Sequence, residues 1–218
     1  EVIPPTPWYF NHQMWLSLSG VRTVPLPTGD ELLPTVAEAE ARLTDRTRAI
    51  VLVTPNNPTG AVYPLSLRRA LIDLAEQHNL TILADEVYAD LGFEGAVPLL
   101  GTLEPDAPII SFSSLSKAYI APGWRAGWMV VGKTPRLDNV LAASTKLADG
   151  RLCSAGPMQF AITAALKGDR SHQVVFRRAL AERGDITTQA LNAIPGMRCV
   201  PPRAAFYAMP IVSLPPGR

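Results

Sequence analysis

The sequence predicts an α/β fold: a mostly parallel sheet flanked by helices, followed by the start of a smaller α+β domain. Three observations predict it. Short apolar runs alternate with helical patterns, the signature of strands joined by crossover helices. One run, Arg48 to Val53, is apolar without a break, as expected of a strand buried on both faces of a parallel sheet. Three runs lead into polar residues, Asn57, Asp85 and Lys117, at the edge where such sheets bind ligands.

Taken in order, Glu1 to Ile3 reads as a strand that stops at the turn Pro4-Pro-Thr-Pro7. After Trp8-Tyr-Phe-Asn-His12 a mixed helical piece runs to about Ser19, with Gly20 as its stop. Val21 to Leu26 predicts a strand, and Pro34 to Leu43 carries helical spacing. After the 48–53 strand, Ser66 is placed to cap a helix whose apolar stripe is Leu67, Ala70, Leu71, Leu74 and Ala75. Leu80 to Ala84, the run ending at Ile110, and Ala126 to Val131 complete the strands. Two helices are expected beyond Asp138, at 157–166 and 171–194. Short strands follow at 197–200 and 204–209. The domain expectation is a partial cofactor-binding domain over 1–170, then an interdomain helix and the start of a small domain over 171–218.

The chain has 218 residues, 47% hydrophobic and 18% charged, with a net charge of +1. That balance is ordinary for a soluble globular protein and gives no reason to invoke nucleic acid or a membrane surface. No apolar run approaches the ~20 residues that span a bilayer. Cys153 and Cys199 lack zinc spacing and are too few for a disulfide framework, so reduced thiols and a cytoplasmic setting are expected, with no metal. The chain opens at Glu1 and stops soon after a strand, and it reads as a fragment of a longer polypeptide.

The chemistry concentrates in Ser111 to Trp128. Lys117 lies among the hydroxyls of Ser113, Ser114 and Ser116. A desolvated lysine amine condenses with an aldehyde to give a Schiff base. Arg125 offers a planar fork suited to phosphate, and Ser114 a hydroxyl for the same anion. Gly123 and Gly127 flank that arginine and suggest a tight turn. An aldehyde trap beside a phosphate seat points to pyridoxal phosphate. Read singly, these pieces have plain alternatives: an exposed lysine in a serine-rich loop, an Asp85 that caps a helix, an Asn-Asn-Pro-Thr-Gly turn, a Tyr9 packed in the core.

Together, Asn57-Pro-Thr-Gly60, Asp85-x-x-Tyr88, Ser114-x-x-Lys117 and Gly123-x-Arg125-x-Gly127 resemble the class I/II aminotransferases of the fold-type I pyridoxal phosphate enzymes, with an alanine-type flavour around Arg151-Leu-Cys153. The resemblance covers essentially the whole chain. It implies that Lys117 carries the cofactor as a Schiff base and moves the substrate proton, and that Asp85 pairs with the pyridine nitrogen. It further implies that Asn57 and Tyr88 face the ring's 3-oxygen, that Tyr9 stacks on the ring, and that Ser114, Ser116 and Arg125 take the phosphate. Catalytic roles thus fall to Lys117, Asp85 and Tyr88. His12 reads as a satisfied core histidine in preference to a residue standing behind the site, and Arg151 as one of a surface ion pair in preference to a contact with substrate or a neighbouring subunit.

The family's glycine-rich phosphate loop and carboxylate-clamping arginine have no counterpart in these 218 residues. The implied function is amino transfer between an amino acid and a 2-oxo acid, in a homodimer. Two alternatives stay open: a pyridoxal phosphate-dependent lyase or synthase, and a non-catalytic, ligand-sensing domain.

Overall fold

In the computed structural model, which describes residues 1–151 and 156–213, the apolar runs assemble into one five-stranded sheet. Its strands, neighbours in this order, are β1 (Val2–Ile3), β2 (Ala49–Val53), β3 (Thr81–Asp85), β4 (Ile109–Ser114) and β5 (Gly127–Val131). The first four run parallel, and β5 closes the edge antiparallel. The helices are α1 (Phe10–Leu18), α2 (Val36–Glu40), α3 (Leu65–Gln77), α4 (Leu100–Leu103), α5 (Asp138–Gly150), α6 (Gly156–Lys167) and α7 (Ser171–Asn192). A separate antiparallel pair, β6 (Met197–Cys199) and β7 (Pro210–Val212), follows.

The alternation of side chains along each strand divides the sheet into two unlike faces. Ile50 and Leu52 of β2, Ile82 and Ala84 of β3 and Ile109 of β4 face Leu71, Ile72, Leu74 and Ala75 of α3. Each fully buried Leu or Ile contributes about 1.5–3 kcal/mol, so this face anchors the fold. The other face carries Val51, Val53 and Leu83, packed with Leu16 of α1. Toward the carboxyl ends of the strands that packing gives way to a cleft.

Several local expectations differ from what forms. Val21 to Leu26 makes only isolated parallel bridges, Val2 to Thr23 and Pro5 to Leu26. Pro4, Pro5 and Pro25 remove the N–H groups a continuous ladder needs. Residues 204–209 are not a strand either: Ala205 adopts φ 60°, and pairing resumes only at Pro210. Helix α5 was not expected; none of its residues is buried, and its apolar Val140, Leu141 and Leu147 are exposed in this chain. Pro64, rather than Ser66, precedes α3, and no side chain caps it. Cys153 lies outside the described residues.

The buried face of α3 includes Arg68, which is 3% exposed and donates from Nη1 to Pro98 O at 2.6 Å. Near it lies Glu86, 2% exposed, whose Oε1 accepts the Leu100 N–H at 2.7 Å. Burial raises the Glu86 pKa above its ordinary 4.5, and the Leu100 N–H and Arg68 only partly offset it. A carboxyl with a raised folded-state pKa favours the fold in its protonated form, and that contribution is lost as pH rises from 4.5 through the folded value. Glu86→Gln keeps an oxygen for Leu100 and cannot ionise. Urea unfolding across pH should therefore show Glu86→Gln gaining on the unmodified protein as pH rises above 4.5, and a constant difference would refute the assignment.

Candidate active site

Parallel strands deliver their carboxyl ends to one edge, and the register places Val53, Asp85 and Phe112 side by side there. Asp85 is the last residue of β3; Lys117 follows β4 by three residues; Asn57 lies in the turn after β2. These segments and α1 enclose a cleft of about 590 Å³, walled by Tyr9, His12, Asp85, Ser114, Lys117 and Arg125. Ser116 lines it too. An adjoining cavity of about 120 Å³ shares Tyr9, Asp85 and Lys117 and adds Asn57, Tyr88 and Tyr207. All eight residues singled out in the sequence thus line one continuous region.

The turn after β2 explains how Asn57 is left available. Asn56, not Asn57, closes it: its Oδ1 accepts the Thr59 N–H at 3.2 Å and the Thr59 hydroxyl at 2.9 Å. Gly60 stands at φ +71°, and a Cβ there would lie 2.5 Å from Tyr207 O and 2.6 Å from Pro202 Cβ. Its carbonyl accepts the N–H groups of Arg203 and Ala204, at 2.9 and 3.2 Å. The glycine therefore serves a close approach between two distant segments, in addition to the turn. Gly60→Ala should cost about 2–4 kcal/mol in urea unfolding, from left-handed strain plus displaced neighbours. A loss within 0.5 kcal/mol, the range of ordinary surface changes, would contradict that account.

Asp85 is held from two sides. Its Oδ1 accepts the Val87 N–H at 3.3 Å, and its Oδ2 lies 3.1 Å from His12 Nε2. A carboxylate only accepts, so Nε2 carries the hydrogen. His12 is thus a cleft residue that orients Asp85, the alternative to the core histidine that its sequence favours. The signal was present in Tyr9-x-x-His12: Tyr9 immediately precedes α1 and His12 lies on its first turn, and the two rings meet edge-on with centroids 5.6 Å apart.

Lys117 is half-buried, with Nζ 5.7 Å from the centroids of both the Tyr88 and Phe206 rings. Tyr88 is 3% exposed, and its hydroxyl lies 2.7 Å from that of Tyr207. Burial, the largest cause, pushes the Tyr88 pKa above the ordinary phenol range, with the Asn57 amide acting the other way. Tyr88 is therefore a protonated hydroxyl across the usable pH range.

On the phosphate side, Arg125 is exposed, sits in the left-handed region at φ 52°, and donates from Nη1 to Pro122 O at 2.9 Å. The tight turn is made at Arg125 itself. Gly123 has open space around it, whereas a Cβ on Gly127 would lie 2.8 Å from Ser113 O, where β5 meets β4. Ser114 Oγ accepts the Ser116 N–H at 3.2 Å, which folds the hydroxyl cluster toward the cleft. Arg151 is exposed just beyond α5 and is not among the residues lining the cleft.

The family model for aminotransferase class I and II matches residues 1–215. The chain belongs to the class I and II aminotransferase family. It is 40% identical over 181 residues to an alanine aminotransferase of Mycobacterium tuberculosis, spanning 81% of this chain and 42% of that protein. It is 37% identical over 216 residues to a glutamate-pyruvate aminotransferase of Escherichia coli, spanning 96% of this chain and 53% of that one. Among solved structures, an alanine aminotransferase from Pyrococcus furiosus superposes on all of this chain with a TM-score of 0.94 at 33% identity, over 56% of its own length. The chain thus spans about half the length of the aminotransferases it matches. Among the described residues, no helix of this family member is long and apolar enough to cross a membrane.

Proposed function

We propose that the protein is a pyridoxal phosphate-dependent aminotransferase that exchanges an amino group between an amino acid and a 2-oxo acid, with alanine and pyruvate as one pair. The observation that carries this reading is the meeting of Lys117 and Asp85, from the ends of different strands, on one cleft. The names of the similar alanine and glutamate-pyruvate aminotransferases support the choice of substrates. The family resemblance also supports a homodimer working in the cytoplasm.

The donor set suits the cofactor: an amine, a carboxylate, a neutral phenol beside an amide, and a guanidinium beside hydroxyls, all lining one region. Pyridoxal phosphate, when bound, supplies an aldehyde and a ring that accepts the electron pair left when a proton leaves the substrate's α-carbon. Lys117 Nζ would hold the aldehyde carbon and, once released by the incoming amine, carry that proton. A positioned general base of this kind contributes roughly 10²–10⁴-fold. Asp85, steadied by His12 and Val87 N–H, would keep the ring nitrogen protonated and so favour the electron-accepting form. Tyr88 and Asn57 would donate to the 3-oxygen, Tyr9 would cover the ring, and Ser114, Ser116 and Arg125 would take the phosphate.

The test is turnover of alanine with 2-oxoglutarate. Pyruvate and glutamate should form in equal amounts, and only when the oxo acid is present. Serine or cysteine converted to pyruvate and ammonia without an acceptor, through loss of the β-substituent, would point to a lyase on this scaffold. Cofactor binding with no turnover of any amino acid would point to a ligand-sensing domain.

A further inference from the structure

Tyr207 comes from the far end of the chain, 119 residues from Tyr88, yet its hydroxyl lies 2.7 Å from the Tyr88 hydroxyl and it lines the cavity shared with Lys117, Asp85 and Asn57. Its placement is built into the fold. Ala205 N donates to Leu91 O at 3.1 Å, and Gly60 O takes Arg203 N and Ala204 N. The ring is fixed as well, packing edge-on against Tyr88 at 5.5 Å and tilted against Phe206 at 4.8 Å.

A phenol has one proton to give and two lone pairs to receive. In the proposed site, Tyr88 spends its proton on the cofactor's 3-oxygen. Its contact with Tyr207 can then be a hydrogen bond in only one direction, with Tyr207 donating and Tyr88 accepting. We propose that Tyr207 is a positioning residue for Tyr88: its hydroxyl fixes the direction of the Tyr88 proton and polarises that O–H, so that Tyr88 becomes the stronger donor to the 3-oxygen. The inference rests on the assignment of Tyr88 as that donor. It gives the segment between β6 and β7 a part in tuning the cofactor.

The consequence is readable without turnover. Once Lys117 has captured the cofactor, the proton on its nitrogen is shared with the 3-oxygen. A donor from the protein competes for that oxygen and loosens the proton. Removing the donor raises the pH at which the visible absorbance band changes colour. The polar groups lining the cavity with the Tyr88–Tyr207 pair are Tyr9, Lys117, Asp85 and Asn57, with His12 behind Asp85. Substitutions confined to the two hydroxyls leave all of them in place.

The experiment is absorbance against pH for the pyridoxal phosphate-loaded protein and for Tyr88→Phe, Tyr207→Phe and the double variant. Near-ultraviolet circular dichroism checks that the rings stay packed. The expected result is a rise in midpoint for Tyr88→Phe, a smaller rise of about 0.5 pH units for Tyr207→Phe, and no further rise in the double variant over Tyr88→Phe alone. A shift for Tyr88→Phe with none for Tyr207→Phe, or two shifts that simply add, would overturn the role of Tyr207 while leaving the site intact. No shift for Tyr88→Phe would overturn the Tyr88 assignment and the role of Tyr207 with it.

Discussion

Lys117→Ala is expected to abolish the visible absorbance band that pyridoxal phosphate gives on capture by the protein, and to lower turnover by more than the ~10²–10⁴-fold of a lost general base. Two functions depend on the one nitrogen, so the combined loss should exceed either alone. The protein should stay folded. Lys117 is half-buried, and the rings its Nζ approaches lie 5.7 Å away, so the truncation removes reach into the cleft without opening the core. Far-ultraviolet circular dichroism checks the fold, and spectrophotometric titration with the cofactor checks the rest. A variant that still develops the band would contradict the assignment of Lys117.

Asp85→Asn is expected to have the next largest effect. The amide matches the carboxylate in shape and still offers an oxygen to Val87 N–H, so packing should survive. What disappears is the negative charge. A ring nitrogen facing an amide is no longer held protonated, and the electron pair at the α-carbon loses its sink. By analogy with removal of one preorganised electrostatic partner, turnover should fall roughly 10²–10³-fold. Cofactor affinity should fall with it. His12 gives an internal comparison. Its Nε2 bonds Asp85, so His12→Phe should lower turnover by a smaller factor and lose most of that effect in the Asp85→Asn background. Steady-state kinetics of the three variants decides; equal, additive losses would show that His12 acts by some other route.

The parallel sheet was legible because its signals are local. Ala49–Val53 is apolar at every position, and the four parallel strands need only alternate with helices to imply crossovers. The site was legible for a related reason. Parallel strands bring their ends to one edge, so polar residues following three of them had to meet there. The unforeseen parts depend on contacts distant in sequence or on backbone geometry. Tyr207 meets Tyr88 only because Gly60 and Leu91 accept the 203–205 backbone, and no spacing in either segment announces that. Arg68 and Glu86 are both buried, against the usual expectation for charged side chains, because each finds a backbone partner near the 98–100 segment. The failed strands at 21–26 and 204–209 have apolar sequences. Prolines in one and the left-handed Ala205 in the other stop the ladder.

The most direct measurement is borohydride reduction of the protein equilibrated with pyridoxal phosphate, followed by proteolysis and mass spectrometry. Reduction converts a reversible imine into a stable amine and marks whichever nitrogen held the aldehyde. The expected result is a single stoichiometric adduct on the peptide carrying Lys117. Labelling spread over Lys133, Lys146 and Lys167, or no adduct at all, would contradict the claim that Lys117 is the cofactor's anchor.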